Sequence, residues 1–149
     1  MQKLCGGQLL LVLDDLMAKV AKNEEAGNLF TCARHMHCSV LFISQNLFKQ
    51  GPASRDILLN TNYLMLFQNQ QDAKQIACFA QRLQPQKWRQ LLEIYQDATA
   101  IPFGYLLLDL RVGTHPLLKF RGRIGPSHQL LYSLDPTLGE KVSGQQNQQ

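Results

Sequence analysis

The chain has 149 residues, a net charge of +4 and a sequence pI of about 9.0, so it has the size of one ordinary domain or of a large piece of one. Its hydrophobic content of 45% is that of a globular protein. No apolar run reaches the roughly 18 residues that a membrane-spanning helix needs, and no basic-then-apolar signal opens the sequence. We therefore expect an intracellular protein with no membrane partner.

The four cysteines are Cys5, Cys32, Cys38 and Cys78. They form no C-x-x-C pair and show no disulfide-like spacing, so we expect reduced and mostly buried thiols. The positive net charge is compatible with a polyanionic partner but does not require one.

The first predicted element is a strand over residues 9–13, which form a continuous aliphatic run. Such a run is typical of a strand buried on both faces, in a parallel sheet covered by helices. It ends in Asp14 and Asp15, and ligands of open α/β sheets bind beyond the carboxyl ends of the strands. This pattern indicates a Walker B motif, in which Asp14 holds Mg²⁺ through its water shell and Asp15 orients or deprotonates the attacking water. The alternative is a strand whose end meets solvent, with Asp15 capping a helix.

A helix is predicted from Leu29 to about His37. Four potential metal ligands lie in or beside it, namely Cys32, His35, His37 and Cys38. Their C-x2-H-x-H-C spacing matches no standard zinc site. A metal-binding domain is therefore one hypothesis, and basic groups that favourably end a helix are the other.

A second buried strand is predicted over residues 39–44, and it ends in Gln45 and Asn46. Roughly 30 residues separate Asp14 from Gln45, which is enough for a helical crossover between two parallel strands. We therefore expect two neighbouring strands to bring an acidic pair and an amide to one crevice, where Gln45 could bond both the γ-phosphate and the attacking water. A simple polar turn after a strand is the alternative.

The next segment carries Lys49 and Arg55, candidates for a contact with DNA phosphates or an arginine-finger role, or else for plain surface. Beyond it the pattern predicts a strand at 63–67, helical spacing at 73–83, and a further helix after Pro85. A strand follows at 105–110, and a shorter strand at 117–120 runs back to make a hairpin. Arg121 and Arg123 make this hairpin the most basic segment and are candidate DNA contacts.

Several blocks resemble one family in their order and near their spacing: LLLVLDDLM, HCSVLFISQNLFKQG, SRDILLNTNYLMLFQN, and GYLLLDLR with RGRIGP. They are similar to the packaging ATPases of the FtsK/HerA superfamily, in particular those of Polinton/Maverick elements, adintoviruses and poxvirus-type viruses. The resemblance runs from Leu9 to about Pro126. It implies an α/β fold that is a partial RecA-like, P-loop NTPase three-layer structure, with a mostly parallel sheet and a C-terminal antiparallel hairpin.

By this resemblance, residues 1–133 are the C-terminal portion of a packaging ATPase domain. The composition of residues 134–149 predicts a disordered Gln-rich tail. Asp14 then resembles the Walker B magnesium acid and Asp15 the catalytic acid. Gln45 resembles the sensor with Asn46 beside it, and Arg55 is a weaker match to the basic residue before the next helix. The resemblance also implies ATP and Mg²⁺ as cofactors, double-stranded DNA and capsid or portal components as partners, and a homo-oligomeric ring. The expected compartment is the nucleus or cytoplasm of a host cell, or the virion.

The sequence departs from the family in one respect, because GxxxxGK[ST] occurs nowhere in it. The phosphate-binding loop supplies much of the nucleotide affinity in phosphoryl transfer. We therefore expect a fragment of an ATP-driven DNA translocase that is inactive alone. The alternative is a non-catalytic remnant or interaction module that keeps the fold.

Overall fold

A computed structural model of the chain describes residues 9–15, 32–45, 57–69, 73–125 and 129–134. The chain divides into two compact units, Met1–Thr61 and Asn62–Gln149. Both contain strands, and helices accompany them, so the fold class is mixed α/β, as the sequence predicts. None of the described helices combines the length and the apolar character needed to cross a membrane.

The first unit contains a parallel pair of strands. Strand β1 (Leu9–Asp14) pairs with β2 (Cys38–Ile43), with Leu9 opposite Cys38 and Asp14 opposite Ile43. A short 3₁₀ turn, Ala33–Met36, precedes β2, where the sequence predicted the end of a longer helix. Residues 57–60 are helical. The parallel pairing confirms the prediction that these two strands are neighbours with the same direction.

The expected burial of β1 on both faces is not observed. Leu9 and Leu10 are each 61% exposed and Val12 is 50% exposed, whereas the alternate residues Leu11 and Leu13 are half-buried. A strand is buried on both faces only when a packed layer covers each face. Within the described part of this unit, the fully buried apolar side chains are Ala33 and Ile57, which are too few to form two such layers.

The second unit contains a four-stranded antiparallel sheet with two helices. Its strands lie in the order β3 (Tyr63–Phe67), β4 (Tyr105–Asp109), β5 (Phe120–Gly122) and β6 (Leu130–Tyr132). Helices α1 (Ala73–Leu83) and α2 (Trp88–Thr99) connect β3 to β4. The predicted strand at 63–67 and the predicted helical segment at 73–83 are confirmed.

The core of this unit lies between the sheet and the two helices. Alternate residues of the strands and residues at helical spacing on α1 and α2 are buried there: Leu64, Leu66, Ile76, Ala80, Leu91, Tyr95, Ala98, Leu106 and Leu108. Tyr95 fixes the end of β3 as well, since its hydroxyl donates to the carbonyl of Phe67 at 2.9 Å and accepts from the N–H of Asn69 at 3.2 Å. The buried hydroxyl of Thr99 donates to the Tyr95 carbonyl at 2.8 Å.

The expectation of a mostly parallel sheet is not met by the described strands. The pairing of β1 with β2 is parallel, but β3–β4, β4–β5 and β5–β6 are antiparallel. A single crossover helix leads to a parallel strand, whereas the pair α1–α2 returns the chain to the end of the sheet that it left. The register shows this return, because Phe67 at the end of β3 lies opposite Tyr105 at the start of β4.

The predicted C-terminal hairpin is present, but its second strand begins later than predicted. Pro116–Leu118 form a 3₁₀ turn, and Phe120–Gly122 form the strand. Proline has a fixed φ and no N–H, which suits the first turn of a helix, and the Nδ1 of His115 accepts the N–H of Leu117 at 3.3 Å. Strand β6 was not predicted, because three residues are too few to show a period.

Two glycines allow a test of packing against backbone strain. A Cβ on Gly104 would lie 2.6 Å from the carbonyl oxygen of Ala98 and 2.8 Å from that of Ile101. We expect Gly104→Ala to lower the free energy of unfolding by about 2–3 kcal/mol, because two backbone oxygens must move. Gly113 has a φ of 88° and open space around it, so Gly113→Ala should cost only about 1 kcal/mol. Urea unfolding followed by the fluorescence of Trp88, the single tryptophan, measures both. Equal losses in the two variants would contradict the packing argument.

Candidate functional site

The structure brings the predicted acidic pair and the predicted amide to one edge of the parallel pair. Asp14 is the last residue of β1 and lies opposite Ile43, the last residue of β2. The N–H of Asp15 donates to the carbonyl of Ile43 at 3.1 Å, so the ladder continues one residue past the strand. Gln45 follows Ile43 by two residues. Asp14, Asp15 and Gln45 therefore all leave the carboxyl edge of two neighbouring strands.

The chain turns sharply at Asp15, which has a φ of 49°. Aspartate adopts this left-handed conformation at lower cost than most residues. Asp14, Asp15 and Gln45 are all exposed. Two carboxylates and an amide oxygen at one accessible edge are hard oxygen donors, the kind of ligand that Mg²⁺ prefers.

Three other predicted site residues, Asn46, Lys49 and Arg55, lie outside the described residues. Most of the predicted Gln-rich tail lies outside them as well, since the last described residue is Leu134. The roles that the resemblance implies for these residues stay predictions.

The cysteine and histidine residues that were candidate metal ligands lie toward the other end of the parallel pair, the amino ends of its strands. The N–H of Leu9 donates to the carbonyl of His37 at 3.2 Å, which places His37 and Cys38 at the amino ends of the strands. Six-residue strands are about 20 Å long, so this cluster is well separated from Asp14. Across the part of the chain that the structure describes, no three His, Cys, Asp or Glu residues are grouped to hold a metal ion. The zinc hypothesis thus receives no support from the geometry.

The expectation of mostly buried thiols is wrong for the described cysteines. Cys32 and Cys78 are exposed, and Cys38 is half-buried. A cysteine is buried where neighbouring side chains pack over it, because the thiol itself does not require burial. Cys78 lies on α1 two residues from Ile76 and Ala80, which hold the buried side of that helix.

Asp109 is a buried acid with several hydrogen-bond partners, and the sequence analysis assigned it no role. Its side chain is 1% exposed. Arg111 donates to it from Nε at 3.0 Å and from Nη2 at 2.8 Å, Arg121 donates from Nη2 at 3.2 Å, and the Thr114 hydroxyl donates at 3.1 Å. The guanidinium of Arg111 also lies 4.8 Å from the ring centre of Tyr63. These contacts join the ends of β3, β4 and β5.

The hydrogen bonds from Arg111 lower the pKa of Asp109 to about 2, against the opposing effect of burial, and hydrogen bonding to Asp109 raises the pKa of Arg111. A signal for this cluster existed in the sequence, since Asp109 ends an aliphatic run just as Asp14 does. A lone acid followed by an arginine two residues later is, however, too common a pattern to single out.

The two predicted DNA contacts of the hairpin have different environments. Arg121 is only 20% exposed, and its charge is paired with the carboxylate of Asp109 at the end of β4. Arg123 is exposed and has a φ of 49°. Of this pair, Arg123 has the geometry of a surface contact.

The chain was compared with family models, curated proteins and solved structures, and none of these matches it.

The Asp109 cluster predicts a stability that depends on pH. The pKa of Asp109 in the folded chain, about 2, lies below its ordinary value of 3.8, so the stabilisation is complete above the ordinary pKa and is lost as the pH falls toward 2. We expect Asp109→Asn to lower the free energy of unfolding by about 2–3 kcal/mol at pH 7, because it leaves two arginines without their carboxylate.

Urea unfolding followed by Trp88 at pH 7 and pH 3 measures this loss, and the difference from wild type should shrink at pH 3. Glu93 is an exposed acid on α2, so Glu93→Gln is the matched control and should change little at either pH. An Asp109→Asn loss that does not depend on pH would contradict an electrostatic origin.

Proposed function

We propose that this chain carries the Walker B and sensor portion of an ATP-driven DNA-packaging ATPase of the FtsK/HerA superfamily, with a RecA-like core. The observation that supports the proposal most directly is the parallel register of β1 and β2. It sends Asp14, Asp15 and Gln45 out of the same edge on neighbouring strands. Ligands of open α/β sheets bind at that edge.

The proposed roles follow from the chemistry of these side chains. Asp14 would hold Mg²⁺ through its water shell, and Asp15 would position the attacking water and take its proton. The Gln45 amide would donate to a phosphate oxygen and accept from that water, and so would distinguish ATP from ADP. Mg²⁺-ATP, when bound, would supply the phosphoryl group and part of the neutralising charge.

Activity in this proposal requires a phosphate-binding loop, and the printed sequence has no GxxxxGK[ST]. A complete version of the domain would combine that loop with the edge described here. It would act on double-stranded DNA, as a homo-oligomeric ring, with capsid or portal components as further partners. A non-catalytic module that retains the fold is the second candidate.

The two candidates differ in nucleotide binding by the chain as it stands. The first predicts weak binding of a fluorescent ATP analogue that depends on Mg²⁺, with negligible turnover. Asp14→Asn should weaken this binding about tenfold, the effect of one charge-assisted hydrogen bond. Glu93→Gln is the control, since Glu93 is an exposed acid of the second unit. Fluorescence titration of the nucleotide analogue with and without Mg²⁺ measures this binding. The absence of any Mg²⁺-dependent binding by wild type would favour the non-catalytic module.

The role of Asp15 is tested in a version of the domain that includes a phosphate-binding loop. There Asp15→Asn should lower ATP turnover by about 100-fold or more, the usual contribution of a positioned base. Nucleotide and DNA binding should stay close to wild type, because the amide keeps the shape of the carboxylate. Steady-state phosphate release measures turnover, and a normal rate in the variant would refute the role assigned to Asp15.

Binding to double-stranded DNA should involve Arg123 more than Arg121. If Arg123 contacts a phosphate, Arg123→Gln lowers the slope of log affinity against log salt by about 0.9, the value for one neutralised phosphate. Arg121→Gln is the comparison variant, and its main effect should be on unfolding, because Arg121 is paired with buried Asp109. The affinity for double-stranded DNA, measured from about 50 to 200 mM salt, checks this. An unchanged slope for Arg123→Gln would show that Arg123 is an exposed side chain without a phosphate contact.

A further inference from the structure

In the second unit, β3 is an edge strand of the four-stranded sheet. The strand order places β4 on one side of it, and no described strand pairs with the other side. The side chains of Tyr63, Met65 and Phe67 are exposed, whereas those of Leu64 and Leu66 between them are buried. The open edge of β3 therefore borders an uncovered apolar face of the sheet.

The register shows which backbone groups of β3 point out of the sheet. The N–H of Leu110 donates to the carbonyl of Asn62 at 2.8 Å, and hydrogen-bonded pairs alternate along an antiparallel ladder. The even-numbered residues of β3 therefore bond to β4, and the odd-numbered residues direct their N–H and carbonyl groups to the open edge. The carbonyl of Phe67 accepts from the Tyr95 hydroxyl. Among the described residues, no other hydrogen bond reaches these edge-facing groups.

Strand β3 carries none of the features that commonly protect a sheet edge. Tyr63–Phe67 contains no charged residue and no proline, and its register with β4 runs without a bulge. The strand at the other end of the sheet order, β6, has only three residues, and a short edge is a poor template for pairing. An uncharged, apolar edge with unpaired backbone groups is a site where another strand can add to the sheet.

Charge favours a second copy of this strand as the partner, in the antiparallel direction. An antiparallel pairing centred on Met65 places Met65 opposite its own copy and Tyr63 opposite Phe67, so no two charges of the paired strands meet. The guanidinium of Arg111 lies 4.8 Å from the ring centre of Tyr63, and this pairing brings it to the Phe67 end of the other copy, where an aromatic ring attracts a cation. A parallel pairing would instead put the two Arg111 side chains beside each other.

We propose that two copies of the chain associate through β3, in an antiparallel pairing with a two-fold axis at Met65, so that their sheets become one continuous sheet. The pairing occupies the open edge of each copy, and association therefore stops at the dimer. This inference goes beyond the proposed ATPase function. It uses none of Asp14, Asp15 and Gln45, and a closed ring needs a head-to-tail contact between different surfaces.

Sedimentation velocity of the 149-residue chain over a range of concentrations measures this association. Reducing agent is included so that the exposed thiols of Cys32 and Cys78 do not cross-link copies. We expect wild type to pass from monomer to dimer as its concentration rises. Met65→Lys should raise the dissociation constant about tenfold or more, because two ammonium groups then oppose each other across the paired strands.

The matched control for this variant is Leu118→Lys. Leu118 is 44% exposed and Met65 is 45% exposed, so the two substitutions add the same charge at equally exposed apolar positions. Leu118 precedes β5, which β4 separates from β3. This control should therefore dimerise within about twofold of the wild-type dissociation constant.

Three outcomes of the sedimentation experiment would overturn the proposal. Wild type could stay monomeric across the whole range. The two variants could weaken the dimer equally, in which case added charge alone explains the loss. Met65→Lys could keep the wild-type dissociation constant, which would assign the association to another surface.

Amide hydrogen exchange in wild type tests the pairing without any substitution. The amides of Tyr63, Met65 and Phe67 should exchange rapidly well below the dissociation constant and slowly well above it. Those of Leu64 and Leu66 should be protected at both concentrations, because they bond to β4. Protection of the odd-numbered amides that does not change with concentration would contradict the dimer.

The same exchange measurement separates a second copy from a foreign strand. Protection of the odd-numbered amides that appears only with an excess of a synthetic peptide of alternating threonine and valine would assign the edge to a foreign strand and overturn self-pairing. Asp14→Asn should leave the exchange pattern of β3 unchanged, so failure of the ATPase proposal and failure of this one are distinguishable.

Discussion

The burial of Leu106 and Leu108 is the constraint on which the second unit depends. These two leucine side chains of β4 are completely excluded from solvent. Their strand lies between β3 and β5, under the helices α1 and α2. A central strand with one face fully covered has a single acceptable register, because a shift of one residue would expose the buried leucines. The same register puts Asp109 at the end of β4, where Arg111 and Arg121 can reach it. Apolar burial thus sets the alignment, and the ion pairs hold the strand ends together.

The basic side chains of this unit are divided among three environments. Arg111 and Arg121 compensate the buried charge of Asp109. Lys87 and Lys119 line a cavity beside the loop that joins α1 to α2. Arg123 is exposed. A net charge of +4 therefore says little about partners by itself, since part of the positive charge is used inside the structure.

In the first unit, the relevant feature is the shared direction of two strands. Parallel strands end at the same edge, so side chains that follow each strand are neighbours even when they are far apart in sequence. The half-exposed leucines and valine of β1 form an apolar strand that is only partly covered by the described residues of this unit.

The sequence by itself determined several of the described strands and helices, because periodicity and turn residues are local. The strand at 63–67, the helical segment at 73–83 and the parallel relation of β1 and β2 all follow from pattern and spacing. The edge that carries Asp14, Asp15 and Gln45 follows from the same spacing.

Only the tertiary structure decided the direction of β4, the presence of β6 and the partners of Asp109. A strand direction depends on where the connecting helices return the chain, and a three-residue strand is stabilised only by its neighbour β5. The pairing of Asp109 with Arg121 joins residues on adjacent strands, and the cavity that Lys87 and Lys119 help to line brings together more distant segments. No local pattern encodes these contacts, because they arise when burial of the leucines of β4 brings the segments together.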